Sequence, residues 1–158
     1  MKPFGFALFW ILAFVYFEQS SGCGRKREGC FGSSAGYGFQ FGTQNLSCVK
    51  GKRKRSPSRA TGRLAHRYIK YRGVYYEFMP WGTEYGSSPY RPNCRAGTES
   101  YAAGYGVLST ECVKGCAKYF GQTKRYSFGG RNCHHFANWL ANILCKESSC
   151  PSYCERYM

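Results

Sequence analysis

Residues 126–144, YSFGGRNCHHFANWLANIL, are the most informative stretch of the chain. An extended approach and a Gly-Gly turn precede a helix that we expect to begin at Asn132. Cys133 heads the apolar stripe of this helix, which continues at helical spacing through Phe136, Ala137, Leu140, Ile143 and Leu144. A thiol in the first turn lies at the positive end of the helix dipole, which favours the nucleophilic thiolate. Cys133 is therefore either a reactive thiol or half of a disulfide.

The N-terminus predicts export. Lys2 is followed by large apolar residues from Phe4 to Phe17 and then by small polar residues. This pattern is typical of a secretory signal peptide over residues 1–22, with cleavage near Ser21 or Gly22. The apolar run is shorter than the roughly 20 residues that a membrane span needs, and no later segment qualifies. We therefore expect a secreted, extracellular chain without a membrane span.

The cysteine pattern predicts a disulfide framework. All ten cysteines follow the predicted signal peptide, at Cys23, Cys30, Cys48, Cys94, Cys112, Cys116, Cys133, Cys145, Cys150 and Cys154. An even count in an oxidising compartment favours disulfides, and Cys112 and Cys116, four residues apart on one helix face, are expected to reach different partners. The alternative is a zinc site formed by Cys150, Cys154, His134 and His135. Export favours disulfides over metal, so we expect no metal and no other cofactor.

Positive charge is concentrated in the N-terminal third of the chain. The formal net charge is +15. Residues 23–65 carry ten Lys and Arg against one Glu, whereas residues 66–158 carry twelve against six. A basic secreted surface suits acidic polysaccharides, other matrix polyanions or microbial membranes. Export argues against a nucleic-acid partner.

Two modification signals lie in the same third. The run Lys52-Arg53-Lys54-Arg55 resembles a dibasic cleavage site, so the segment is either processed after Arg55 or forms a solvated basic loop. Asn45-Leu46-Ser47 is an N-glycosylation sequon, which a eukaryotic secretory pathway would use at Asn45.

The predicted fold class is α+β, with a small antiparallel sheet packed against helices. Residues 23–63 are basic and Gly/Ser-rich, and predict a loop-rich segment pinned by disulfides. Residues 64–158 form the predicted main domain, which ends in a cysteine-stapled tail. Its elements are two strands within 64–82 around a turn at Arg72-Gly73, a long loop over 83–106, and helices near 108–120 and 132–145.

A histidine that opens a strand, followed later by Asn-Cys-x-x-Phe at a helix start, resembles the circularly permuted papain-like families. The PPPDE family of thiol isopeptidases is the most similar, over roughly residues 62–82 and 119–145. The matching positions are His66, Ile69, the region Tyr75–Phe78, Tyr126, Asn132, Cys133, Phe136 and Asn138. The lecithin–retinol acyltransferase family shares the Asn-Cys-x-His-Phe element at residues 132–136.

The resemblance implies that His66 is the general base toward Cys133. The thiolate would attack an acyl carbon of a peptide or other acyl substrate and form a thioester, while the first-turn amides around Asn132, Cys133 and His134 help to hold the oxyanion. The chain contains no aspartate. The residue that orients the base is therefore an Asn, a Gln, a Glu or a main-chain carbonyl, or the site is a dyad. His134 and His135 are expected to face solvent or the cleft rim.

Two other functions fit the same composition. One is a non-catalytic structural protein of the extracellular matrix that binds acidic polymers and retains the fold without the activity. The other is a cationic antimicrobial or toxin-like protein, which shares the charge and the cysteines but needs no pairing of His66 with Cys133.

Overall fold

A computed structural model describes residues 30–44, 65–90, 94 and 96–158. The strands are β1 (Tyr37–Gln44), β2 (His66–Tyr71), β3 (Val74–Met79), β4 (Gly82–Gly86), β5 (Ala96–Thr98) and β6 (Gly104–Gly106). The helices are α1 (Thr110–Thr123), α2 (Cys133–Lys146) and α3 (Ser152–Glu155). The predicted signal peptide, the sequon at Asn45 and the processing site at Arg55 lie outside the described residues.

The six strands of the described residues form one antiparallel sheet, in the order β4-β3-β2-β1-β5, with β6 also paired to β1. The prediction of an α+β fold with an antiparallel sheet is confirmed. The prediction that residues 23–63 form a loop-rich segment missed residues 37–44, which form the inner strand β1. This strand pairs with β2 on one side and with β5 and β6 on the other.

The turn between β2 and β3 fixes the register of the two strands. Arg72 and Gly73 both have positive φ angles, of 49° and 81°. Two consecutive residues with positive φ form the tight turn that suits the twist of a β-hairpin. The predicted turn at Arg72-Gly73 is therefore confirmed, and its register places Tyr68 opposite Glu77.

The predicted long loop over residues 83–106 is also wrong in part. Residues 82–86 form β4 along β3, and the three-residue strands β5 and β6 pair with opposite ends of β1. These short strands are rich in glycine, so their own side chains give little strand signal. Their neighbours in the sheet supply the hydrogen bonds that order them.

Both long helices begin at capped positions and pack on the sheet. Ser109 caps α1 by accepting a hydrogen bond from the Cys112 amide, and Asn132 caps α2 by accepting from the amides of His134 and His135. The fully buried side chains between the sheet and the helices include Phe39, Phe41, Ile69, Tyr71, Tyr76, Phe136, Leu140 and Leu144. The predicted helices are confirmed, each within about two residues at its start.

Three disulfides connect the described elements: Cys30–Cys145, Cys112–Cys150 and Cys116–Cys154. The first joins the approach to β1 with the end of α2. The other two fasten the C-terminal tail along α1, so the expectation that Cys112 and Cys116 reach different partners is confirmed. Cys150 and Cys154 are thus disulfide-bonded, which removes them from the alternative zinc site.

Gly42 has a structural role that predicts a measurable loss of stability. The fully buried ring of Tyr68 lies directly over the Gly42 backbone, where a Cβ atom would overlap it. Gly42→Ala should therefore lower the free energy of unfolding by about 1–3 kcal/mol, the range for overpacked cores. The measurement is chemical denaturation followed by circular dichroism.

Gly97→Ala is the matched control. Gly97 lies in β5, the strand that pairs with this end of β1, and a Cβ atom added to it would have no other atom within 4 Å. This variant should be close to neutral. Equal stability of the two variants would contradict the packing of Tyr68 on Gly42.

Candidate active site

Cys133 is the first residue of α2 and the one free cysteine among the described residues. Its side chain is almost fully buried, with 3% of the residue exposed. Asn132 has extended backbone angles and caps the helix, so the chain turns into α2 directly before the thiol. Of the two alternatives drawn from the sequence, the structure has Cys133 as a thiol at a helix start.

His66, the first residue of β2, lies near enough to the Cys133 thiol for each side chain to shift the pKa of the other. The backbone brings the two residues together. The Arg67 amide donates a hydrogen bond to Cys133 Sγ at 3.4 Å, and the thiol lies 4.0 Å from the Ala65 carbonyl oxygen. The start of α2 therefore sits against the start of β2, which is how residues far apart in sequence come to share one site.

Glu77 completes a chain of three polar side chains. Its Oε2 lies 2.5 Å from His66 Nε2, which leaves the other ring nitrogen for Cys133. Its Oε1 accepts a hydrogen bond from the Tyr90 amide at 2.6 Å. Because both carboxylate oxygens are engaged and 1% of the residue is exposed, Glu77 holds the imidazole in one orientation.

The sequence analysis left open which type of residue orients His66, and it did not identify Glu77. The register of the β2–β3 hairpin was the available signal. Tyr68 lies opposite Glu77, and His66 is two residues from Tyr68, so His66 and Glu77 share a sheet face as diagonal neighbours.

The surroundings of Cys133 favour its thiolate. Burial alone raises the pKa of the thiol, but the hydrogen bond and the positive charge of His66 act in the opposite direction and outweigh it. The Arg67 amide and the Tyr126 side chain add further hydrogen bonds that stabilise the anion. The net effect is a lowered pKa for Cys133.

The surroundings of His66 favour its protonated form. Burial lowers the pKa of the imidazole, but the hydrogen bonds and negative charges of Cys133 and Glu77 reverse this effect and raise the pKa to about 9. His66 is therefore protonated at neutral pH, and its positive charge favours the thiolate of Cys133. The two groups titrate as a pair, since each charge stabilises the other.

The remaining predicted site residues have structural contacts. His134 is buried, contrary to the expectation that it faces solvent or the cleft rim, and its Nε2 lies 2.8 Å from the Ala65 carbonyl oxygen. Its amide donates to Asn132 Oδ1, and the Asn132 side-chain amide donates to the Phe128 carbonyl. His135 is exposed, as expected. The helix cap thus engages the amide of His134, which is one of the predicted oxyanion donors.

Comparisons of the chain with known protein families, with curated proteins and with solved structures give no match. None of the helices in the described part of the chain has the length and apolar character needed to cross a membrane. The chemistry of the site must therefore be argued from its own residues.

The lowered pKa of Cys133 predicts a characteristic pH dependence of alkylation. The rate with iodoacetamide should stay high as the pH falls below the usual thiol pKa of about 8.5. His66→Gln removes the positive charge beside the thiol but leaves Cys133 buried. The inflection of the profile of alkylation rate against pH should therefore move to higher pH. The measurement is the alkylation rate across a pH series, with Cys133 identified by peptide mass spectrometry.

His135→Gln is the control, because His135 lies two residues from Cys133 but is exposed and bonds to Asn132. This variant should keep the wild-type inflection. An unchanged inflection in the folded His66→Gln protein would contradict the ion pair.

Proposed function

We propose that the protein is a secreted thiol hydrolase of the permuted papain-like type, which cleaves amide, isopeptide or thioester bonds through an acyl-enzyme at Cys133. The observation that carries the proposal is the buried array of Cys133, His66 and Glu77. A free thiol at a helix start, a histidine beside it and a carboxylate behind the histidine are the parts that nucleophilic acyl transfer requires.

In the first half-reaction, Cys133 Sγ attacks the carbonyl carbon of the scissile bond. The carbonyl π electrons move to the oxygen, which becomes an oxyanion. As the oxyanion collapses, the bond to the leaving nitrogen, oxygen or sulfur breaks, and His66 donates its proton to that atom. A thioester on Cys133 and a neutral His66 remain.

Two groups are placed to stabilise the oxyanion. The Cys133 amide lies at the positive end of α2, and the Tyr126 side chain helps to lower the pKa of the thiol. Burial and the nearby thiolate raise the pKa of Tyr126, so this phenol remains a hydrogen-bond donor. Fixed donors that face a developing negative charge lower the barrier of acyl transfer.

Hydrolysis of the thioester then reverses the roles. Formation of the thioester removes the negative charge of Cys133, so one cause of the raised pKa of His66 disappears. Neutral His66 can therefore accept a proton from water as the water oxygen attacks the thioester carbon. The carbon–sulfur bond breaks, the acid product leaves, and the thiolate is restored beside protonated His66.

The proposed setting agrees with two features of the molecule. Disulfides are formed and kept in oxidising compartments, and three of them fasten the described residues. The predicted signal peptide would direct the chain into such an oxidising compartment. The order of a strand histidine before a helix cysteine supports the permuted papain-like assignment through the resemblance of His66 and Asn132-Cys133-x-x-Phe136.

Turnover of a fluorogenic peptidyl thioester or isopeptide tests the proposal. Cys133→Ala should abolish the burst of acyl-enzyme and reduce kcat/KM by about 10³-fold or more. The pH profile of the wild type should be bell-shaped, with activity lost in acid as Cys133 is protonated and lost in base as His66 deprotonates near pH 9. The measurement is kcat/KM across pH, with circular dichroism as the check of folding.

Glu77→Gln should lower kcat/KM by at least about tenfold and shift the basic limb to lower pH, because the carboxylate raises the pKa of His66. Glu111→Gln is the control, since Glu111 is an exposed residue of α1 whose carboxylate pairs with Lys114. It should keep the wild-type profile. Absence of turnover of both probes by a protein whose Cys133 is free would contradict the proposed function and favour the non-catalytic matrix protein.

A further inference from the structure

A cleft of about 330 Å³ opens beside the candidate active site. One wall is the turn between β3 and β4, and the other is the end of α1 with the residues that follow it. The lining residues include Phe78, Trp81, Lys124, Arg125 and Tyr126. The volume suits a short peptide segment or a ligand of similar size.

The cleft reaches the nucleophile through Tyr126. This side chain lines the cleft and also lies near enough to the Cys133 thiol to help lower its pKa. Phe78 lies beside Tyr126, with their ring centroids 5.2 Å apart, and also lines the cleft. A chain that occupies the cleft would therefore place its next bond near Cys133 Sγ.

Two residues with positive charge also line the cleft. Lys124 caps the end of α1 through its backbone, and Arg125 follows it as an exposed residue. Within the described part of the chain, neither side chain forms an ion pair. The nearby carboxylate of Glu84 accepts a hydrogen bond from Trp81 Nε1 at 3.0 Å. The two cations are thus available to an anionic group of a ligand.

An aromatic surface borders the same opening. Trp81 is 59% exposed and packs against Tyr90, with ring centroids 5.4 Å apart. The Tyr90 amide in turn holds Glu77, so this surface is connected to the residue that orients His66. An exposed Trp beside unpaired cations is suited to a ligand that combines an apolar part with a negative charge.

We propose that this cleft binds the substrate segment next to the scissile carbonyl and selects an acidic side chain, Asp or Glu, flanked by an apolar residue. The assignment of the cleft as a substrate subsite rests on the proposed function. The carboxylate pairs with Lys124 and Arg125, and the apolar residue packs on Trp81. The net positive charge of the chain adds a long-range attraction for such substrates.

Binding is measured first, because it needs no turnover. Fluorescein-labelled peptides that differ only in Glu against Gln beside an apolar residue are titrated into the Cys133→Ala protein. The Glu peptide should bind about three- to tenfold more tightly, and added salt should reduce the difference. Lys124→Gln/Arg125→Gln should remove the preference, whereas Lys124→Arg/Arg125→Lys should restore it.

Lys118→Gln is the matched control, because Lys118 lies on α1 but does not line the cleft. Equal affinities for the two peptides, a preference retained in the double Gln variant, or an equal loss in Lys118→Gln would overturn the inference. These results separate the cleft from general attraction to a basic protein.

Turnover is measured second, with the corresponding Glu and Gln peptidyl thioesters and active Cys133. The ratio of their kcat/KM values should match the binding preference and vanish in the double Gln variant. A charge-dependent preference in binding without turnover of either thioester would contradict the proposed hydrolase and still support the acidic-ligand site. Turnover without any preference for Glu would support the hydrolase and overturn the inference.

Discussion

The burial of α2 against the sheet is the interaction on which the rest of the structure depends. Phe136, Leu140 and Leu144 of this helix are fully buried, and each contributes about 1.5–3 kcal/mol relative to an exposed side chain. The same packing presses the first turn of α2 onto the start of β2. The thiol of Cys133 therefore meets His66 as a direct result of the packing that stabilises the domain.

This arrangement holds ionisable side chains in a buried site, where loss of hydration disfavours their charged forms. A thiolate, an imidazolium and a carboxylate share a site in which His66, Glu77 and Cys133 are each less than a tenth exposed. Burying an ionised group costs on the order of several kcal/mol of desolvation free energy. Apolar residues of similar size often stabilise a protein as well as a buried ion pair does. Buried ionisable clusters are concentrated at functional sites, which supports the proposed acyl-transfer chemistry. The disulfides between α1 and the tail supply stability elsewhere.

Local patterns in the sequence were sufficient to predict the helix and the hairpin that carry the site. The spacing of Phe136, Leu140 and Leu144 predicted α2, and Arg72-Gly73 predicted the hairpin turn. Strand β1 was missed because the glycines of YGFQFGTQ obscured the period-two alternation of Phe39 and Phe41. Strands β5 and β6 were missed because three glycine-rich residues carry too little signal, and their order comes from pairing with β1.

The candidate site was predictable to a similar extent. The resemblance to the permuted papain-like families implied the pairing of Cys133 with His66, but the position of Glu77 depends on strand register, which tertiary pairing sets. The buried position of His134 likewise depends on where the Ala65 carbonyl lies, on another element. Neither contact leaves a local pattern in the sequence.

The redox state of Cys133 in the native protein tests the central claim most directly. The secreted protein is alkylated without reductant, denatured and digested, and its cysteine peptides are identified by mass spectrometry. We predict that Cys133 carries the label and that Cys30–Cys145, Cys112–Cys150 and Cys116–Cys154 appear as linked peptides. Recovery of Cys133 in a disulfide-linked peptide would contradict the account, because a sulfur bound to another sulfur cannot act as the nucleophile.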